Sequence, residues 1–144
     1  MSNIQAALGV AQLEKLKEHL EIKRRIGADY QERLKDIDYV QLPLERTEYA
    51  ENIYWVFGIV ISEKISMDAR EDMLRLADRK VGCRPFFYPM HLQPVFRKMG
   101  LFLEESYPVA ERLAEKGFYI PSGLAVTAEQ REYVAEQLRV VFEG

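Results

Sequence analysis

Residues 3–35 carry an unbroken helical pattern, and no proline interrupts it. Apolar side chains recur at Ile4, Leu8 and Ala11, then Leu13, Leu16 and Leu20, then Ile26, Tyr30 and Leu34, the spacing that gathers them on one side of a helix. Ser2-Asn3-Ile4-Gln5 has the form of a capping box, a hydroxyl followed three residues on by glutamine. Gly9 and Gly27 weaken such a helix only modestly. A continuous helix of this span runs about 50 Å at about 1.5 Å per residue. A compact domain of 144 residues is only about 40 Å across. The helix is therefore expected to overhang its own body. Its excess apolar stripe then needs a further domain, a second copy of the chain, or a bend.

Beyond residue 36 the period changes. Tyr39 to Leu42 reads as a short strand stopped by Pro43, and residues 45–51 as a charged loop. The run 53–61, Ile-Tyr-Trp-Val-Phe-Gly-Ile-Val-Ile, is β-branched and aromatic on both alternating faces, as in a central strand buried on each side. Trp55 then reads as a core residue. Ser66 is a candidate cap for a helix over 67–79 with Met73, Leu74 and Ala77 inward. Residues 83–88 read as a second strand, stopped by Pro89. Pro94 opens a short helix to Met99, and Ser106 and Pro108 open another over 109–116. Residues 118–120 form a third short strand before Pro121. Thr127-Ala128-Glu129-Gln130 is a second capping box, leading into a helix with Val134, Leu138 and Val141 on one face. The expected class is α+β: one domain over 1–144, with a small, mainly antiparallel sheet covered by helices.

Composition narrows the function. Apolar residues make up 48% and charged residues 30%, as in a chain with a packed core. A net charge of −3 argues against a nucleic-acid partner, because phosphate contacts need a basic surface. No apolar window is long enough for a membrane span, and the opening residues lack the basic-then-apolar pattern of a secretory leader, so neither is expected. The single cysteine, Cys83, has no internal disulfide partner, so the expected setting is cytoplasmic. Neither histidine lies at metal-ligand spacing from Cys83.

The most unusual stretch is Arg84-Pro85-Phe86-Phe87-Tyr88-Pro89-Met90-His91-Leu92-Gln93-Pro94. Three prolines stiffen a strand exit that carries a cation, three aromatics and an imidazole. Two readings stand. The aromatics alternate between core and surface as packing, or the rigid loop contacts a ligand. His91 is either a satisfied interface ring or a group acting near neutral pH. Arg84 either makes an internal salt bridge or grips a carboxylate or phosphate. Lys23-Arg24-Arg25 reads as a solvated helix face, and Cys83 has the surroundings of an inert thiol. None of the eight lysines follows a Ser/Thr-rich strand exit of the kind that offers a Schiff-base amine.

Three stretches in order resemble the DegT–StrS type of pyridoxal-phosphate (PLP) nucleotide-sugar aminotransferases. They are the opening Met1 to Gly9 with Gln12-Leu13-Glu14, the run from Arg84 to Pro94, and Tyr119 to Leu124 with Thr127. With Asn52-Ile53-Tyr54-Trp55 and Pro121-Ser122-Gly123, the form is most similar to perosamine synthetases. The resemblance implies the small C-terminal domain of the aspartate-aminotransferase fold. It implies glutamate as amino donor and a nucleotide-linked 4-keto-6-deoxy sugar as acceptor. It also implies that the cofactor lysine belongs to a large domain whose motifs are not in this sequence. No catalytic residue and no covalently held PLP are then expected in this chain, which alone should be inactive. Within the parent enzyme it makes Arg84, Phe87, Tyr88 and His91 substrate-binding, with Arg84 toward the glutamate carboxylate, and puts Asn3 near the cofactor. A homodimer or higher homo-oligomer through residues 4–30 is the expected partnership. The alternative is a free-standing, non-catalytic α+β module that binds a ligand or a partner.

Overall fold

The computed structural model describes residues 1–64 and 68–143. The capping box at the start forms: Gln5 N–H donates to Ser2 Oγ, and Ser2 N–H donates to Gln5 Oε1 at 2.8 Å. The expected continuous helix is two, α1 (Asn3–Glu14) and α2 (Leu16–Leu34). The break is at Lys15, whose φ of −99° and ψ of 0° leave the helical well. No glycine or proline stands there, so nothing in the neighbouring residues signals it. α1 buries no residue, and Ile4, Leu8 and Leu13 are exposed. It does overhang, by about 18 Å for its 12 residues. α2 is ordinary by comparison. Ile26, Tyr30 and Leu34, four apart, are buried with Ile22 partly covered above them.

The sheet has four antiparallel strands in the order β1-β2-β4-β3. They are β1 (Val40–Gln41), β2 (Phe57–Ile61), β3 (Arg84–Pro85) and β4 (Gly117–Ile120). Register decides the two faces. Phe57 lies opposite Ile120 and Ile59 opposite Phe118, so these four, with Ile61, face the same way. They meet Ile26, Tyr30 and Leu34 of α2 and Val134 and Leu138 of α6 (Ala128–Glu143) in one core. Full burial of each such side chain is worth about 1.5–3 kcal/mol. Asp29 ties the two helices across this layer. Its Oδ1 accepts from Arg33 Nε at 3.0 Å, and its Oδ2 accepts from Arg131 Nε. Burial alone would raise the Asp29 pKa; the two guanidiniums outweigh it and hold the carboxyl below its usual range.

The other face carries Gly58, Val60, Tyr119 and Arg84, which is opposite Tyr119. Phe86 lies over it, stacked on Tyr119 at 4.6 Å between ring centroids. Both glycines make room for that ring. A Cβ on Gly58 would come within 2.8 Å of it, and one on Gly117 within 2.5 Å.

Further expectations change. The central strand starts at Phe57 instead of 53, and the strand expected over 83–88 keeps only Arg84–Pro85. Trp55 is 64% exposed and is not core. The helix expected from 67 is α3 (Ala69–Asp78), with Ala69, Asp72 and Leu76 inward, while Leu74 and Ala77 face solvent. Ser66 lies outside the described residues. The α3 cap is Asp68, whose side chain accepts from Glu71 N–H at 2.9 Å. The hydrophobic pattern could not choose the α3 face, because the inward set includes a carboxylate. α4 (Pro94–Lys98), α5 (Pro108–Lys116) and α6 follow the sequence reading, and the Thr127–Gln130 box closes at both hydrogen bonds.

Candidate functional site

One concavity gathers more of the chemistry than any other cavity described. It encloses about 370 Å³ and is bounded by Lys23, Trp55, Val56, Arg84, Tyr119 and the segment 120–123. Each wall has a local cause. Asn52 Oδ1 accepts from Tyr54 N–H at 2.8 Å, an Asx turn, while its Nδ2 donates to Leu44 O at 2.9 Å. Tyr54 takes φ +50°, a left-handed conformation that costs an aromatic residue about 1–2 kcal/mol. The turn sends Tyr54 inward, stacked on Phe57 at 5.8 Å, and leaves Trp55 outward at the cleft. The asparagine was the signal in the sequence. An Asx turn just before an apolar run marks where the strand has not yet begun.

Lys23 is half-buried, and its Nζ donates to the Ser122 carbonyl. Burial pulls its pKa below the usual lysine range. It is thus part of the cleft wall, where the sequence suggested a solvated face; Arg24 and Arg25 are exposed as expected. Ser122 is buried and its Oγ accepts from Phe57 N–H at 3.1 Å. Tyr30 OH donates to the Pro121 carbonyl at 2.7 Å. The Pro121–Gly123 wall is therefore pinned to α2 and to β2. Arg84, opposite, is exposed and has no ion-pair partner among the described residues, so its guanidinium is available to an anion.

The structure brings Arg84 and Phe87 together around Tyr119, with Phe87 edge-on to that ring at 6.2 Å. Phe87 and Tyr88 are exposed beside it. His91 goes elsewhere. It is buried in a single 3-10 turn (Met90–Leu92), its Nε2–H donates to Glu111 Oε1 at 2.8 Å, and it sits edge-on to Tyr107 at 4.9 Å. The Tyr107 N–H, then His91 and Ser106, hold the Glu111 carboxyl below its usual range. His91 thus braces the loop against α5. Asn3 is at the exposed start of α1, away from the sheet. Burial pushes the Cys83 thiol up to about 12, which suits an inert residue.

Residues 1–139 match the DegT/DnrJ/EryC1/StrS aminotransferase family. The chain belongs to this family. It is 31% identical to the GDP-perosamine synthase of Escherichia coli O157:H7 over 139 residues, which is 96% of this chain and 35% of that protein. The chain thus spans about a third of the length of the curated relatives it matches, 35% in this case. Among solved structures, the aminotransferase TlmJ from Streptoalloteichus hindustanus superposes with a TM-score of 0.82 at 25% identity, over 96% of this chain and 36% of that one. The E. coli GDP-4-keto-6-deoxy-D-mannose-3-dehydratase, with bound hydrated PLP, shares the fold with a TM-score of 0.76 at 19% identity, over 92% of this chain and 34% of that one.

PLP is the coenzyme of the parent DegT/DnrJ/EryC1/StrS enzymes. The cleft of this chain does not fit that group by itself. Its one lysine, Lys23, commits its ammonium to Ser122, and no carboxylate among the described residues lines the cleft to meet a pyridine nitrogen. What the cleft offers is an available guanidinium, an exposed indole and a phenol.

Proposed function

We propose that this chain is the C-terminal part of a PLP-dependent sugar aminotransferase that moves an amino group from glutamate to a nucleotide-linked 4-keto-6-deoxy sugar. The observation that carries the reading is the match to GDP-perosamine synthase over 96% of the chain. The cleft at Arg84 supports it with the right chemistry for an anionic substrate. In this reading 1–144 is a single domain, and the coenzyme amine and the acid facing its ring come from other polypeptide. Arg84 anchors the glutamate carboxylate by a bidentate contact. Phe87 and Tyr88 line the nucleotide-sugar side. His91 serves that side indirectly, by fixing the loop through Glu111. Asn3 approaches the coenzyme only once α1 is covered.

A chimera tests this. This chain replaces the matching third of the E. coli synthase, and the product is assayed with GDP-4-keto-6-deoxymannose and glutamate. The chimera is expected to transfer the amino group, while this chain alone with added PLP gives no turnover. In the chimera, Arg84→Ala should raise the glutamate KM about tenfold or more, the loss of one charge-assisted contact. A chimera that folds and holds PLP but aminates no nucleotide sugar would sink the proposal.

The bare apolar surface of α1, Ile4, Leu8, Val10 and Leu13, supports self-association of the chain through residues 4–30. Sedimentation equilibrium is expected to show a dimer or larger species that dissociates when Leu8 and Leu13 are replaced by glutamate. A monomer at all concentrations up to the millimolar range would refute it.

A further inference from the structure

A second cavity, of about 370 Å³, opens between the end of α3 and the start of α6. That size is at the lower end of small-molecule sites, about 300–1,000 Å³. Its walls are Val81, Pro121, Val126, Val134 and the ring of Tyr133. The ring is fixed in place, because Tyr133 OH donates to the Arg79 carbonyl at 2.9 Å. Pro121 is also a wall of the Arg84 cleft, so the two cavities lie on either side of one pinned segment.

The residue at the mouth is unusual for its backbone. α3 ends in a Schellman arrangement. Lys80 N–H donates to Ala77 O and Val81 N–H donates to Leu76 O, both at 2.9 Å. The residue that must then turn left-handed is normally glycine. Here it is Lys80, at φ +62°. Glycine would avoid a strain of about 1–2 kcal/mol, so the position carries a lysine side chain against local preference. No ion pair engages Lys80 among the described residues. The acid at the rim, Glu129, turns back on its own N–H and on Thr127. Gln130 Oε1 accepts from Thr127 N–H at 3.0 Å, and its Nε2 has no partner among the described residues.

The structure assigns this cavity as a binding site for a small amphipathic carboxylate, an aromatic or branched apolar body with one anionic head. The body fills the valine, proline and tyrosine walls. The head meets the Lys80 ammonium and the Gln130 amide. A neutral ligand lacks the attraction to the cation, and a doubly charged one leaves a charge against apolar walls.

The experiment titrates 3-phenylpropionate into the full ¹⁵N-labelled chain and follows backbone amide shifts. Saturable shifts are expected at Val126, Gln130 and Tyr133, with a Kd at or below about 1 mM. The neutral isostere 3-phenylpropan-1-ol should bind about tenfold more weakly, as should the acid to Lys80→Gly. That variant removes the backbone strain and should melt no lower than the parent, so lost binding cannot be blamed on lost fold. Shifts that do not saturate by 10 mM, equal binding of the alcohol, or unchanged binding to Lys80→Gly would each overturn the assignment.

Discussion

Gly27→Ala is expected to lower the unfolding free energy by about 2 kcal/mol, against the gain of about 1 kcal/mol that alanine brings to a helix interior. Gly27 lies in α2, one residue after buried Ile26 and three before Tyr30. A Cβ there would overlap Cγ, Cδ2 and Cε2 of the Tyr54 ring. These atoms cannot swing clear cheaply. Tyr54 is 3% exposed, held left-handed by the Asn52 turn and stacked on Phe57. The expected response is a shift of residues 52–56, with Trp55 carried along. Urea unfolding measures the loss, and the fluorescence of Trp55, the only tryptophan, reports the local displacement. In a Tyr54→Ala background the overlap is gone and the same substitution should be neutral or stabilising. If Gly27→Ala stabilises the parent chain, the close packing of Tyr54 on α2 is wrong.

The second large effect is a pH dependence centred on Asp72. This side chain is fully buried on α3, and neither carboxylate oxygen has a hydrogen-bond partner among the described residues. Burial pushes its pKa up to about 6. Glu71 and Asp68 add to the rise, while Arg75 and Lys116 oppose it. In the unfolded chain the group titrates near 3.8. Below that value both states hold the proton and nothing is lost. As the pH rises from about 4 to about 6 the unfolded state releases its proton first. Folding then loses about 1.4 kcal/mol for each pH unit crossed, up to about 3 kcal/mol. Above about 6 the loss is complete and constant. Asp72→Asn should therefore be more stable than the parent at pH 7.5, by about 2–3 kcal/mol, and nearly equal to it at pH 4. The difference between the two profiles isolates Asp72 from carboxyls such as Asp29 and Glu111, whose depressed values act in the opposite sense. A difference that does not change between pH 4 and 7.5 would show that Asp72 is solvated.

Much of the fold was legible because it follows from interactions a few residues long. Both capping boxes close, since a hydroxyl and an amide three positions apart need only their own turn. The α2 stripe of Ile26, Tyr30 and Leu34 and the alternation of Phe57, Ile59 and Ile61 are periods of the chain itself. The stiff strand exit that carries Arg84 and Phe87 was also legible, because prolines flank them in sequence, but whether they pack or stay exposed was not. The motifs that carry the family are contiguous, so the resemblance needed no coordinates.

What the sequence left open are the orientations chosen by distant partners. Whether Trp55 or Tyr54 points inward depends on Gly27, which leaves space on α2 for a tyrosine ring. Lys23 looks solvated until the Ser122 carbonyl, 99 positions away, reaches it. His91 has two readings in the sequence, a satisfied ring or an acting one, until α5 brings Glu111 to its ring. Asp72 is a polar residue by composition and a core residue only because β4, α5 and α6 close over α3. Local spacing fixes which residues share a helix or a strand. Which face is buried is set by burial energy summed over contacts far apart in the chain, and that sum exists only once the elements have packed.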